Sequence, residues 1–138
     1  MPSNQSLLQA LQIEHPIIQG PMTGSDTPAL AAAVSQAGGL GMLGCGMRSP
    51  AAMREATAQL RSATNRPFGL NLFVQKTPSP DAATVQKALA RLTPLYAEFG
   101  LTPSVPAQWC EDFDTQLDTV IELKPPVASF TFGILTKE

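Results

Sequence analysis

Several short stretches of this sequence combine residue types that can bind or transform a ligand. Gly20-Pro21-Met22-Thr23-Gly24 joins a glycine, a rigid proline and a flexible thioether. Backbone can approach a flat ligand closely at such a glycine, and main-chain N–H and C=O groups can then read the ligand's edge. Taken alone, the same letters describe an ordinary turn, and at this level the turn is the favoured reading. Asn71 is the only strongly polar residue in the apolar run Phe68-Gly69-Leu70-Asn71-Leu72-Phe73-Val74. A buried amide needs hydrogen-bond partners. A ligand and a neighbouring loop satisfy that need equally well.

Other candidates point away from chemistry. Gly39-Leu40-Gly41-Met42-Leu43-Gly44 spells a dinucleotide fingerprint, but that motif follows a strand and opens a helix. Here a helical pattern comes first, so close helix–strand packing accounts better for the glycines. Cys45 sits at a strand end without a base, because the single histidine, His15, lies at the opposite end of the first predicted strand. Cys45 therefore reads as a packed thiol and His15 as a strand-entry residue. Trp109 reads as a packing anchor. No catalytic residue is assigned. One histidine and two cysteines also leave no His-rich or Cys₄ metal site.

The elements that must position these residues alternate. Pro16-Ile17-Ile18-Gln19-Gly20 is a β-branched run closed by glycine and Pro21. Thr27-Pro28 supplies an N-cap and a first-turn proline for an alanine-rich helix over 29–36. Gly38 suits the left-handed position beyond its end. Residues 40–44 form a second strand. Ser49-Pro50 repeats the cap, and Met53, Ala56, Leu60 and Ala63 recur at helical spacing. Residues 68–74 form a third strand, apolar on both faces as in a covered parallel sheet. Ser79-Pro80 is expected to cap a helix carrying Val85, Leu89 and Leu92, which Pro94 should kink or split. Residues 102–108 are irregular. Phe113, Leu117, Val120 and Ile121 mark a helix stopped by Lys124-Pro125-Pro126, and residues 127–134 form a fourth strand. The crossovers are too long for hairpins, so the four strands are parallel with helical crossovers. No linker divides the chain.

Composition bounds the function. Of 138 residues, 14% are charged, well below the ~25% of an ordinary soluble domain, so much surface expects burial. The net charge of −2 and the lack of a basic block argue against nucleic acid. Met1-Pro2-Ser3-Asn4-Gln5 lacks a positive n-region and an apolar h-region, so no signal peptide is expected, and no apolar run approaches the ~18 residues of a spanning helix. Cytoplasmic location with reduced thiols is the expectation. A complete (β/α)₈ barrel takes ~250 residues, which this length does not reach.

His15-Pro16-Ile17-Ile18-Gln19-Gly20-Pro21-Met22, Thr27-Pro28-Ala29-Leu30-Ala31-Ala32-Ala33-Val34-Ser35, Ala37-Gly38-Gly39-Leu40-Gly41, Pro67-Phe68-Gly69-Leu70-Asn71-Leu72-Phe73 and Ser129-Phe130-Thr131-Phe132-Gly133 together resemble the nitronate monooxygenases, formerly 2-nitropropane dioxygenases. The resemblance implies the N-terminal half of a TIM barrel that binds FMN, with residues 1–138 as a truncated flavin-binding domain. It implies that Gly20, Pro21 and Met22 lie against the isoalloxazine and that Asn71 hydrogen-bonds the ring. It implies oxidation of alkyl nitronates by O₂ to a carbonyl compound and nitrite. The phosphate-binding loops and the catalytic histidine of the family belong to later strands, and Thr131 stands where many members carry a histidine. As a fragment, the chain is expected to be inactive alone. Two alternatives accompany this reading: a non-enzymatic half barrel that self-associates through open sheet edges, and a fragment of a related flavin enoyl or quinone reductase, since those enzymes open similarly.

Overall fold

The computed structural model describes residues 4–76 and 78–135. The expectations for the extreme N-terminus and for position 77 of the loop over 75–80 lie partly outside the described residues. The elements in chain order are α1 (Asn4–Leu11), α2 (Pro28–Gln36), β1 (Gly41–Gly44), α3 (Pro50–Ala63), β2 (Phe68–Phe73), α4 (Ala82–Glu98), α5 (Phe113–Leu123) and β3 (Val127–Thr131). The strands form one parallel sheet in the order β1-β2-β3. Two compact units are present, one from residues 4–76 with 111–135 and one from 78–110.

The caps follow local chemistry. Thr27 and Ser49 accept from the Leu30 and Ala52 amides, and each is followed by a proline at the first helical position. Gly38, at φ +88°, ends the turn after α2 in the left-handed region that glycine enters freely. Lys124, also left-handed, ends α5 as its two following prolines require.

The two sheet faces differ. Leu43, Leu70 and Leu72 point to one side, where Met53, Ala56 and Leu60 of α3 and Val120 of α5 complete a buried core. Gly41 explains how closely α2 sits on β1. A Cβ at position 41 would run into the backbone of Ala31, so this close approach of helix to strand requires glycine at position 41. The expectation of close helix–strand packing holds here. Buried Ser35 adds a polar tie: its hydroxyl donates to the Pro67 carbonyl and accepts from the Gly41 amide. On the opposite face, Met42, Leu40 and Ile13 form a smaller cluster, with Leu8 and Leu11 of α1 packed against it.

Four expectations are corrected. The strand predicted over 16–20 is reduced to a single parallel bridge, Ile18 to Leu40, so the sheet has three strands and a bridge rather than four strands. The Gln19 amide still donates to the Leu40 carbonyl and the Leu40 amide to the Ile17 carbonyl, both at 2.9 Å, but Gly20 and Pro21 then turn the chain away. The last strand stops at Thr131 rather than continuing to 134, because Phe132 takes φ 70°. Asp81, not Ser79, caps α4; its carboxylate accepts from the Thr84 amide, and that bond holds its pKa below the usual carboxylate value. Pro94 does not split α4, which runs through it as one helix with no buried residue. Helix α1 had no counterpart in the sequence reading; Leu7, Leu8 and Leu11 carry its apolar side.

Cys45 belongs to the helix-side core and is fully buried. Burial pushes its thiol up to about 11 from 9.0, against a smaller opposing pull from Arg48. This supports the packed-thiol reading. The folded chain holds a proton here that the unfolded chain releases, so stability is intact below pH 9 and falls as pH rises towards 11. Chemical denaturation across that window should show a loss of up to about 3 kcal/mol, absent in Cys45→Ala. An identical slope in the variant would contradict the assignment. Gly41→Ala should lower the unfolding free energy by about 3 kcal/mol or more, since backbone rather than a mobile side chain must yield. A urea midpoint equal to that of the parent would show that α2 does not press on β1.

Candidate functional site

Parallel α/β folds bind ligands at the carboxyl ends of their strands. Here those ends are linked by direct contacts. Residues 20–26 leave the Ile18 bridge and fold back over the end of β1. A Cβ at Gly44 would come within 2.7 Å of the Thr23 nitrogen and 2.9 Å of its Cα, so only glycine lets this loop lie on the strand. Gly44 is paired in register with Asn71, and Asn71 with Ser129. Residues paired in this way share a face of the sheet. The loop therefore lies on the face that carries Asn71, opposite the helix-side core. Beyond this row, the Cys45 amide donates to the Asn71 carbonyl, the Val74 amide donates to the Thr131 carbonyl, and the Phe73 and Phe132 rings meet edge to face at 5.0 Å.

Asn71 is 2% exposed, and neighbours within the sheet satisfy its amide. Its Nδ2 donates to Ser129 Oγ at 2.9 Å and to Thr131 Oγ1 at 3.1 Å. Of the two readings left open for Asn71, neighbour satisfaction is realised, although the partners come from β3 and not from a loop. The Oδ1 side has only the Thr131 hydroxyl, at 3.4 Å.

The loop's own polar groups are divided. The Met22 amide donates to Asp26 Oδ2 at 2.9 Å, and its carbonyl accepts from Ser25 and Asp26. Met22 therefore has no main-chain group left for a ligand and presents only its side chain, which is 41% exposed. Pro21 has no N–H to offer. Gly20 is different. No described residue bonds its N–H or C=O, and a Cβ built there meets nothing within 4 Å. Beside it, Gln19 donates from Nε2 to the Met42 carbonyl at 3.1 Å, while its Oε1 is buried and unpartnered.

Asp26 holds this arrangement. Its side chain is fully buried. Oδ2 accepts from the Met22 amide and from the Gly44 amide at 2.6 Å, and Oδ1 meets the Arg48 guanidinium at 3.0 Å. Arg48 also donates from Nε to the Gly44 carbonyl and from its terminal nitrogen to the Asp26 carbonyl. From the other side, buried Gln116 of α5 donates to the Cys45 and Arg48 carbonyls. The sequence reading missed all three residues. A signal was present for two. Asp26 is the only acidic residue between Glu14 and Glu55, and Arg48 is the first lysine or arginine in the chain.

A cleft of about 630 Å³ opens between this loop and the start of α3, lined by Thr23, Gly24, Asp26, Met47, Arg48 and their neighbours. None of Gly20, Pro21, Met22 and Asn71 lines it. His15 lies beside Gly38, at the amino end of β1 and away from the strand-end face. Among the described residues no cluster of three or more His, Cys, Asp or Glu could hold a metal ion. No helix among them is long and apolar enough to cross a membrane.

Comparison with known proteins places this geometry. The nitronate monooxygenase family model matches residues 4–138. A nitronate monooxygenase of Paraburkholderia phytofirmans is 40% identical over 136 residues, covering 94% of this chain and 37% of that protein. One from Pseudomonas aeruginosa is 41% identical over 128 residues, covering 89% and 36%. Among solved structures, nitroalkane oxidase from Streptomyces ansochromogenes superposes with a TM-score of 0.79 at 34% identity, covering 94% of this chain and 37% of that one. FabK from Thermotoga maritima gives 0.61 at 34% identity, covering 91% and 29%. The chain thus spans under two-fifths of the length of the relatives it matches. With a family match across nearly every residue and a parallel sheet with helical crossovers that superposes on those structures, the chain belongs to the nitronate monooxygenase family.

Proposed function

We propose that the strand-end face of this chain holds the ring of FMN, as the N-terminal part of a flavin-binding barrel. The whole protein then oxidises alkyl nitronates with O₂ to a carbonyl compound and nitrite. The observation that carries the reading is Gly20, which no described residue bonds through its main chain and at which an added Cβ would meet nothing, in the loop whose Thr23 lies against Gly44 of the Gly44, Asn71 and Ser129 row. Family membership supplies the choice of flavin and of nitronate. Bound flavin supplies the electron-accepting and O₂-reactive group.

The residues present fit such a ring. Gly20 lets a flat surface approach its backbone, and its N–H and C=O can bond a ring edge made of alternating donors and acceptors. Gln19 Oε1 lacks the donor that a buried acceptor requires, and a ring N–H can provide it. Asn71 presents the free side of its Oδ1 while Ser129 and Thr131 fix the amide. Pro21 stiffens the loop, and the Met22 thioether gives polarizable contact. The FabK likeness, at the same sequence identity as the nitroalkane oxidase likeness, supports a second reading in which the same flavin face serves a reductase.

The test is the visible spectrum of the purified protein after incubation with FMN and removal of free flavin. Retained flavin bands are expected. Gly20→Ala should weaken binding roughly tenfold while leaving the unfolding midpoint unchanged, because its Cβ meets no protein atom. A colourless parent protein, or tight binding by Gly20→Ala, contradicts the site. Oxygen uptake driven by an alkyl nitronate, rather than NAD(P)H oxidation with a quinone or enoyl thioester, selects the first reading over the second.

A further inference from the structure

Part of the proposed ring contact is the Gly20 backbone in a short loop, and a loop keeps such groups in place only if something fixes it. The loop runs from Gly20 to Asp26 without regular structure, and Gly24 sits at φ +85°. Within it, the backbone bonds are the two that return to the Met22 carbonyl from Ser25 and Asp26. What ties the loop to the sheet is a side chain. Asp26 Oδ2 accepts from the Met22 and Gly44 amides together, so one oxygen sets the loop backbone against the end of β1. The other oxygen faces Arg48, whose Nε grips the Gly44 carbonyl. Both amide and carbonyl of Gly44 are thereby held by the pair, and Gly44 is the strand residue in register with Asn71.

We propose that Asp26 and Arg48 are positioning residues of the flavin face: they set the distance and orientation of Gly20 and Pro21 relative to Asn71 without touching the ring themselves. This rests on the flavin reading above. A charged pair suits the task better than an apolar contact. A carboxylate oxygen bridging two amides defines a direction as well as a distance, and the Arg48 guanidinium ties the other carboxylate oxygen to the Asp26 and Gly44 carbonyls. The arrangement is also strongly committed, because loss of Arg48 would leave a fully buried carboxylate without its counter-charge.

The test compares Asp26→Asn, Arg48→Lys and the control Leu60→Val in the full protein. Leu60 is fully buried in the helix-side core, so its variant loses stability without touching the loop. The readouts are the FMN dissociation constant and the midpoint potential of bound flavin. Asp26→Asn places an amide donor against Arg48. It should bind FMN roughly tenfold more weakly and shift the potential, since the ring's backbone partners move. Arg48→Lys keeps the charge, loses the Nε bond and should give a smaller change of the same sign. Leu60→Val should match the parent in both readouts. If Asp26→Asn fails to fold, Arg48→Lys, whose side chain is 24% exposed, carries the test alone. Parent-like affinity and potential in the variants that fold overturn the positioning role and leave the flavin site standing. Equal changes in Leu60→Val overturn it too, by showing that lost stability suffices. A parent protein that retains no flavin overturns the site itself, and the positioning role with it.

Discussion

A single buried carboxylate organises the functional end of this chain. Removing an ion from water costs several kcal/mol unless it is paired and hydrogen-bonded. Asp26 meets both conditions, through two backbone amides and one guanidinium. The geometry that satisfies the charge is also the geometry that lays residues 20–26 over the end of β1. Gly44 permits the approach by having no Cβ, and Gln116 anchors the segment from Cys45 to Arg48 by its carbonyls. Loop, strand end and the start of α3 are thus fixed by side-chain bonds to backbone, which leaves little tolerance for displacement of any one of them.

Around that clamp, the two faces of the sheet differ in chemistry. The face under α2, α3 and α5 is dry and closely packed, with Gly41 against Ala31 and a thiol at Cys45 whose burial keeps it protonated. The opposite face carries Asn71, Ser129 and Thr131 in one hydrogen-bonded row. Because side chains alternate along a strand, Phe68, Leu70 and Leu72 of β2 enter the helix-side core while Gly69, Asn71 and Phe73 take the other face.

Much of the frame was legible in the sequence, because its signals are local. Thr27-Pro28 and Ser49-Pro50 each state a helix start in two residues, and Gly38 states a helix end. Asn71 announced itself as a polar residue in an apolar run, though its partners on β3, some 60 residues away, were not readable from that run. The strand over 16–20 failed because β-branched residues encode a preference for extension, whereas a strand also needs a neighbour along its length. Only Ile18 finds one. Asp26 escaped notice for a related reason. A carboxylate in a polar turn looks solvated until its partners, 4, 18 and 22 residues away, are seen to converge on it. Its isolation among neutral residues was the available clue.

In the proposed site a flavin ring contacts both Gly20 and Asn71 and does not occupy the cleft beside Arg48. A crystal structure of the protein crystallised with FMN tests this most directly. The isoalloxazine is expected over the open face of Gly20, with its polar edge within hydrogen-bond distance of Asn71 Oδ1 or Gln19 Oε1. A ring seated against Met47 and Ala52 in the cleft, or on any surface without contact to Gly20 and Asn71, would contradict it.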